Sequence, residues 1–284
     1  MDTSGQWRPF HELMPPDRPP SVWALGLTFA DHVRETAERG GAAVVFAKPC
    51  RPEPGATHIT MPSSSALRQC LQQVEGGDVY GEALCHAGAL LDYEVEVGMV
   101  LLADWHPSDS HSPRWGFVLV NDVTARSVQM AGLGASDPLR HWSAAKGFSG
   151  FLPVASSVWC PDANDLSAWP QVTLSTRVNG ELRQRAPLSD LLYSPLQLLT
   201  LAAQCAPDGW LRQGDVVLAG TPAGIALQVS PWKRRLVQCL PRRLAIALAW
   251  RAQSASPRFL KVNDRIDMQA DWLGSLSLTV KGAA

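Results

Sequence analysis

Three carboxylates, Glu94, Glu96 and Asp122, stand in a stretch of strand-like residues, LDYEVEVGMVLLADWHPSDSHSPRWGFVLVNDVTARSVQ, which runs from Leu91 to Gln129. Leu91–Leu102 is rich in Val, Leu and Tyr and reads as a strand. Side chains alternate faces along a strand, so Asp92, Glu94 and Glu96 share one face and Tyr93, Val95, Val97 and Met99 the other. Glu94 and Glu96 then lie about 7 Å apart along it. Carboxylates so placed repel one another unless positive charge lies between them. A second apolar run, Phe117–Val120, ends at Asn121-Asp122. If the two strands are neighbours, Asp122 reaches the same point. Three carboxylate oxygens there suit Mg²⁺ or Mn²⁺ and leave about three octahedral positions for water and a chelating substrate. By itself, Glu-x-Glu reads more readily as the wet face of an amphipathic strand, so the flanking elements must decide.

Other elements could bring further chemistry to that point. Ser21–Leu27 reads as a short buried strand. Thr28–Gly40 reads as a short helix, with Thr28 as its cap and Gly40-Gly41 as its stop. His32 and Glu35 are three residues apart and share a face of that helix, which is otherwise an ordinary charged surface helix. Ala42–Pro49 reads as a strand, with Lys48 just before its closing turn. Gln69–Gly81 is polar and reads as a surface excursion, and Met130–Trp142 reads as a loop. His106 and His111 fall in the loop Trp105–Trp115 on no periodic element, which argues against a histidine metal pair. Val172–Gln184 alternates around Asn179-Gly180, a strong hairpin signal. Ser194–Cys205 is helical, with Ser194 as cap and Pro195 in the first turn. Gly214-Asp215 reads as a turn and Val216–Ala219 as a strand.

The 284 residues suffice for a large buried core. At 46% hydrophobic and 18% charged, the chain is globular rather than disordered. A net charge of −1 gives no global field for nucleic acid. Six cysteines are scattered with no CxxC pair, so neither a zinc site nor a disulfide framework is indicated, and a reducing compartment fits. Residues 1–20 are polar and proline-rich, lack the pattern of a signal peptide and read as an irregular lead-in. No apolar run reaches the length of a membrane span, so a cytoplasmic location is the expectation.

The motifs together resemble the fumarylacetoacetate hydrolase family. Asp122-Val-Thr-Ala-Arg126-Ser-Val-Gln129 is similar to its NDVSARxxQ signature, and Tyr93-Glu94-Val95-Glu96 to its metal-binding YEVE strand. The resemblance extends to GLTFADHVRE, where the family has GLNYADHAAE, and to Phe46-Ala-Lys48-Pro49. It continues through SAAKGFSGFLP around Lys146, VNGELRQ and LRQGDVVLAGTPAGI, and ends in the closing strands Phe259–Val280. It implies a mostly β chain, a rolled mixed β-sandwich with a few short helices, usually a homodimer, with residues 21–284 as one catalytic domain. It implies one Mg²⁺ or Mn²⁺ on Glu94, Glu96 and Asp122. His32 and Glu35 would be a water-activating pair and Lys146 a catalytic cation. Lys48, Arg126, Gln129 and Thr221 would line the substrate side. The implied substrate is a 2-oxo or β-dicarbonyl acid. Hydrolysis of an acylpyruvate-type carbon–carbon bond is the first expectation. Decarboxylation or isomerisation of an oxaloacetate-like acid is the second, and a non-catalytic member that kept the fold a third.

The chain departs from the family at Thr28-Phe29, in the length of residues 50–90, and most of all at residues 229–258. That insert carries seven Lys/Arg and no acidic residue. Pro241 interrupts it, and Arg242–Arg251 could form a helix with an apolar side. It reads as a packing insert or dimer element, as a contact for an anionic surface, or as a disordered segment.

Overall fold

A computed structural model describes residues 4–35, 42–75, 88–162, 165, 168–228 and 240–283, with only the backbone described at 33–35. Gly40-Gly41, residues 76–81 of the expected surface excursion and residues 229–239 of the basic insert therefore lie outside the described residues.

In chain order, β1 (Gly5–Pro9) and β2 (Val22–Gly26) precede helix α1 (Ala30–Glu35). Strands β3 (Val44–Ala47), β4 (Glu53–Pro54) and β5 (His58–Thr60) lead to α2 (Ser64–Gln72). Then come β6 (Leu91–Asp92), β7 (Val95–Leu101), β8 (Trp115–Asn121) and β9 (Thr124–Ala125), followed by α3 (Arg126–Ala131) and α4 (Pro138–Ala145). Next are β10 (Pro153–Val154), β11 (Ser157–Pro161), the hairpin β12 (Thr173–Val178) and β13 (Glu181–Pro187), and α5 (Pro195–Cys205). β14 (Val216–Leu218), α6 (Arg242–Ser254), β15 (Arg265–Ala270) and β16 (Gly274–Lys281) complete the described elements.

The strands form a mixed nine-stranded sheet whose main path is β1-β11-β8-β7-β14-β2-β3, and a five-stranded sheet, β13-β12-β15-β16-β5. β14 runs parallel to β2, and β16 parallel to β5. The two sheets face each other where β15 and β16 meet β8 and β12 meets β7, which gives the rolled sandwich expected of the family. VEVGMVL in β7 and WGFVLVN in β8 are buried throughout. That pattern belongs to strands covered on both faces. β12 alternates in burial, as a strand with one wet face should. Between β12 and β13, Asn179 and Gly180 both take positive φ (50° and 83°), the two left-handed residues that a tight hairpin needs. Ser194 caps α5 in a full capping box with Gln197.

Several expectations are corrected. The strand expected over Leu91–Leu102 is broken at Tyr93-Glu94, because Leu91-Asp92 pairs away with β9 while Val95 onward pairs with β8. Residues 4–20 are not irregular throughout: β1 pairs with β11, and Arg18 forms an ion pair with Asp215 at 2.8 Å. Part of the expected surface excursion is helix α2, capped by Ser63 and held by buried Leu67 and Leu71. The expected loop Met130–Trp142 contains most of α4, started by Asp137, whose carboxylate accepts from the amides of Leu139 and Arg140. Thr28 does not cap α1; its hydroxyl donates to the Ala219 carbonyl at 2.6 Å. Among the described residues, no helix is long and apolar enough to cross a membrane.

Candidate metal centre and cavity

The register of β7 on β8 builds the site. Val95 lies opposite Asn121 and Glu96 opposite Val120. Just beyond the paired segment the Asp122 amide donates to the Glu94 carbonyl (2.9 Å), and the Glu94 amide donates to Asn121 Oδ1 (3.1 Å). Glu94 and Asp122 are thereby locked side by side. One ligand oxygen from each of Glu94, Glu96 and Asp122 lies within 4.8 Å of the others. All three residues are buried, at 6%, 2% and 2% exposure. The solvated-strand alternative is therefore excluded.

Cations surround the cluster unevenly. Lys146 Nζ donates to Asp122 Oδ2 (2.5 Å), Glu94 Oε2 (3.0 Å) and Thr124 Oγ1 (2.7 Å). The Arg126 guanidinium donates to Glu94 Oε1 (2.5 Å), Asp92 Oδ2 (2.7 Å) and Gln129 Oε1 (2.6 Å). Lys48 Nζ lies 2.7 Å from Asp122 Oδ1 and donates to the Lys146 carbonyl at 2.8 Å. Glu96 has no ion-pair partner among the described residues; its Oε2 accepts the Gly220 amide at 2.7 Å. Four buried carboxylates, Asp92, Glu94, Glu96 and Asp122, thus face three buried cations, Lys48, Arg126 and Lys146.

Protonation follows from that imbalance. Burial, then Asp122 and Glu94, push Glu96 well above the ordinary carboxylate range. Burial also raises Asp92, which Arg126 only partly offsets. For Asp122 the burial penalty is outweighed by Lys146 and Lys48, and its carboxyl is held low. Lys146 loses charge preference to burial but regains more from Asp122 and Glu94, so its ammonium is held charged. An oxygen-only donor set, closely gathered and one cation short, fits a hard divalent ion.

Gly220 allows the close approach that places its amide on Glu96. At φ 92°, a Cβ there would meet Thr28 Oγ1 at 2.0 Å and the Leu25 carbonyl at 2.9 Å.

The triad opens into a cavity of about 580 Å³, whose described lining also includes His32, Arg126, Gln129, Lys146 and Thr221. Met130, Leu133, Leu139, Trp142, Leu227 and Ala249 line it as well. Two expected substrate contacts are otherwise engaged. Lys48 is not among the lining residues, because its ammonium is drawn inward to Asp122 and the Lys146 carbonyl. The Thr221 hydroxyl donates to the Val95 carbonyl (3.1 Å) and accepts from Gln184 (2.8 Å), which leaves Thr221 on the wall with its hydroxyl tied to the sheet. The Glu35 side chain lies outside the described residues.

The sequence reading assigned no role to Asp92, which also accepts the amides of Tyr93, Ala226 and Leu227. Nor did it name Thr124, which joins Lys146 to Glu94. A weak signal for Asp92 was available, since a buried-strand Asp needs a cationic partner and Arg126 stands in the matching signature.

The fumarylacetoacetate (FAA) hydrolase C-terminal family model matches residues 21–281. The chain belongs to this family. Human mitochondrial oxaloacetate tautomerase FAHD1 is 30% identical over 213 residues, which cover 72% of this chain and 80% of that protein. Among solved structures, fumarylpyruvate hydrolase from Pseudomonas aeruginosa, in complex with Mn²⁺ and pyruvate, superposes with a TM-score of 0.61 at 20% identity. That match covers 94% of this chain and 93% of the other. Fumarylacetoacetate hydrolase from Exiguobacterium antarcticum gives 0.58 at 24% identity, with 93% and 76% covered. These likenesses carry the fold.

Proposed function

We propose that the chain is a metal-dependent enzyme acting on a 2-oxo acid, with one Mg²⁺ or Mn²⁺ held by Glu94, Glu96 and Asp122. The observation that carries this reading is the opening of a buried, cation-poor carboxylate triad into a cavity that also holds His32 and Lys146. When bound, such an ion supplies Lewis-acid polarisation of the acid's 2-oxo group. Lys146 provides fixed positive charge beside the triad and stabilises negative charge growing on substrate oxygen. Gln129 and Asp92 hold the Arg126 guanidinium against Glu94, so the carboxylate keeps its orientation.

The first reading is hydrolysis of a carbon–carbon bond in an acylpyruvate-type acid. His32 takes a proton from water, with Glu35 as its orienting partner. The water adds to the distal carbonyl, the bond breaks with its electron pair passing to the enolate of the 2-oxo acid, and the proton held on His32 returns to the enolate carbon. The second reading is tautomerisation or decarboxylation of an oxaloacetate-like acid, favoured by the name of the human relative. That chemistry needs no attacking water. We also propose the homodimer usual in the family.

A side-by-side rate measurement on an acylpyruvate and on oxaloacetate separates the readings. His32→Ala should lower hydrolytic kcat by roughly a hundredfold or more, the usual contribution of a general base, and should spare the oxaloacetate reaction. Equal losses on both would remove the water-activating role. Absence of turnover on both substrates by the unmodified chain with Mg²⁺ or Mn²⁺ would sink the enzyme reading.

A further inference from the structure

We propose that α6, the helix of the basic insert, completes an apolar subsite for the substituent of the 2-oxo acid, so that the chain selects hydrocarbon substituents over dicarboxylates. This rests on reading the triad as the anchor for a 2-oxo acid.

One side of the described wall is non-polar and is drawn from three helical segments, while Leu25, Val44, Phe46 and Leu227 add apolar lining from elsewhere. Met130 and Leu133 flank the end of α3, Leu139 and Trp142 belong to α4, and Ala249 belongs to α6. Trp142 also packs edge-on against Phe46, with ring centroids 5.8 Å apart. The insert fixes this wall as well as lining it. Ala245, Ile246 and Trp250 are buried, and Trp250 Nε1 donates to the Ser127 carbonyl at 3.1 Å. Arg242 donates to the carbonyls of Leu133 (2.9 Å) and Ala131 (3.2 Å) and reaches Glu75 at 3.2 Å. Helix α3 is therefore gripped on both sides of Met130.

Charge decides which substituent suits this wall. A carboxylate removed from water needs a cationic partner or its desolvation is uncompensated. Among the described lining residues, the permanent cations are Arg126 and Lys146, and both are already bonded to the carboxylates of the metal centre. The remaining titratable lining group outside the triad, His32, belongs to α1 and not to the apolar wall. A hydrocarbon substituent instead gains by leaving water, each buried methylene tightening binding by roughly two- to fourfold.

The test uses acids that lack a second keto group and so are not cleaved. Dissociation constants are measured by calorimetry with saturating Mn²⁺ for oxalate, pyruvate, 2-oxohexanoate and 2-oxoadipate. Oxalate should bind, 2-oxohexanoate should bind at least tenfold tighter than pyruvate, and 2-oxoadipate, of the same carbon count, should bind more weakly than 2-oxohexanoate. In Leu133→Asp and Ala249→Phe, each checked for native circular dichroism, the 2-oxohexanoate-to-oxalate affinity ratio should fall at least threefold. Leu133 is 40% exposed, so its substitution threatens the fold least. Oxalate binding with 2-oxoadipate equal to or tighter than 2-oxohexanoate overturns the apolar subsite and leaves the anchor standing. An unchanged ratio in both folded variants overturns the part assigned to the α6 wall. Failure of oxalate itself to bind removes the anchor, and the subsite falls with it.

Discussion

At the scale of single residues, Glu96 is the group on which the centre turns. It is the buried carboxylate that no described side chain neutralises, and it sits beside Glu94 and Asp122. Glu96→Gln removes that charge and keeps an oxygen to accept the Gly220 amide. In metal-free protein the melting temperature should hold or rise. The further rise produced by adding Mg²⁺ or Mn²⁺ to the unmodified chain should vanish, since an ion stabilises only the state that binds it. A thermal scan with and without metal checks this, and an intact metal-dependent rise in the variant would remove Glu96 from the ligand set. The triad was legible in the sequence because strand alternation and adjacent register are local rules. Asp92 was placed on the right face without a role: its partner Arg126 lies 34 residues on, and the chain bends away between them. The inward turn of Lys48 was hidden for a related reason, since it follows from a balance of four buried anions that alternation cannot count.

At the scale of elements, legibility followed the strength of local signals. The Asn179-Gly180 hairpin and the Ser194 cap read directly, because a left-handed turn and a capped first turn are written in a few adjacent residues. Helices α2 and α4 did not, because each is short and buries only two residues, too few to set a helical period; their caps, Ser63 and Asp137, were the available clue. Two glycines show how differently elements depend on one residue type. A Cβ on Gly180 meets nothing within 4 Å, so Gly180→Ala carries only the cost of a left-handed backbone, about 1–2 kcal/mol, and should leave metal affinity alone. Gly220→Ala meets Thr28 and the Leu25 carbonyl, displaces the amide that Glu96 accepts, and should weaken both stability and metal binding. Urea titration together with metal calorimetry on the two variants distinguishes these outcomes; equal metal affinity in both would show that the turn does not position the centre.

At the scale of the whole molecule, the sandwich followed from motif order, whereas the insert's place in the cavity wall depended on a contact between Trp250 and a carbonyl 123 residues earlier. No sequence window holds such a contact. The same long-range habit governs the sheets. Among the described residues β5 pairs only with β16, His58 meeting Thr279, and β2 joins the centre of its sheet through β14, Val22 meeting Val216. Such pairings close large loops before they return any stabilisation, so refolding from denaturant should be slow, on the millisecond-to-second scale or longer. Stopped-flow fluorescence of the tryptophans measures it; a microsecond phase carrying the full amplitude would contradict this topology. On a ribosome making about 5–20 residues each second, β5 waits on the order of ten seconds or more for its partner. Throughout that interval an unpaired strand edge is open to any neighbouring chain, so the yield of folded protein in a cell becomes a race between translation and self-association.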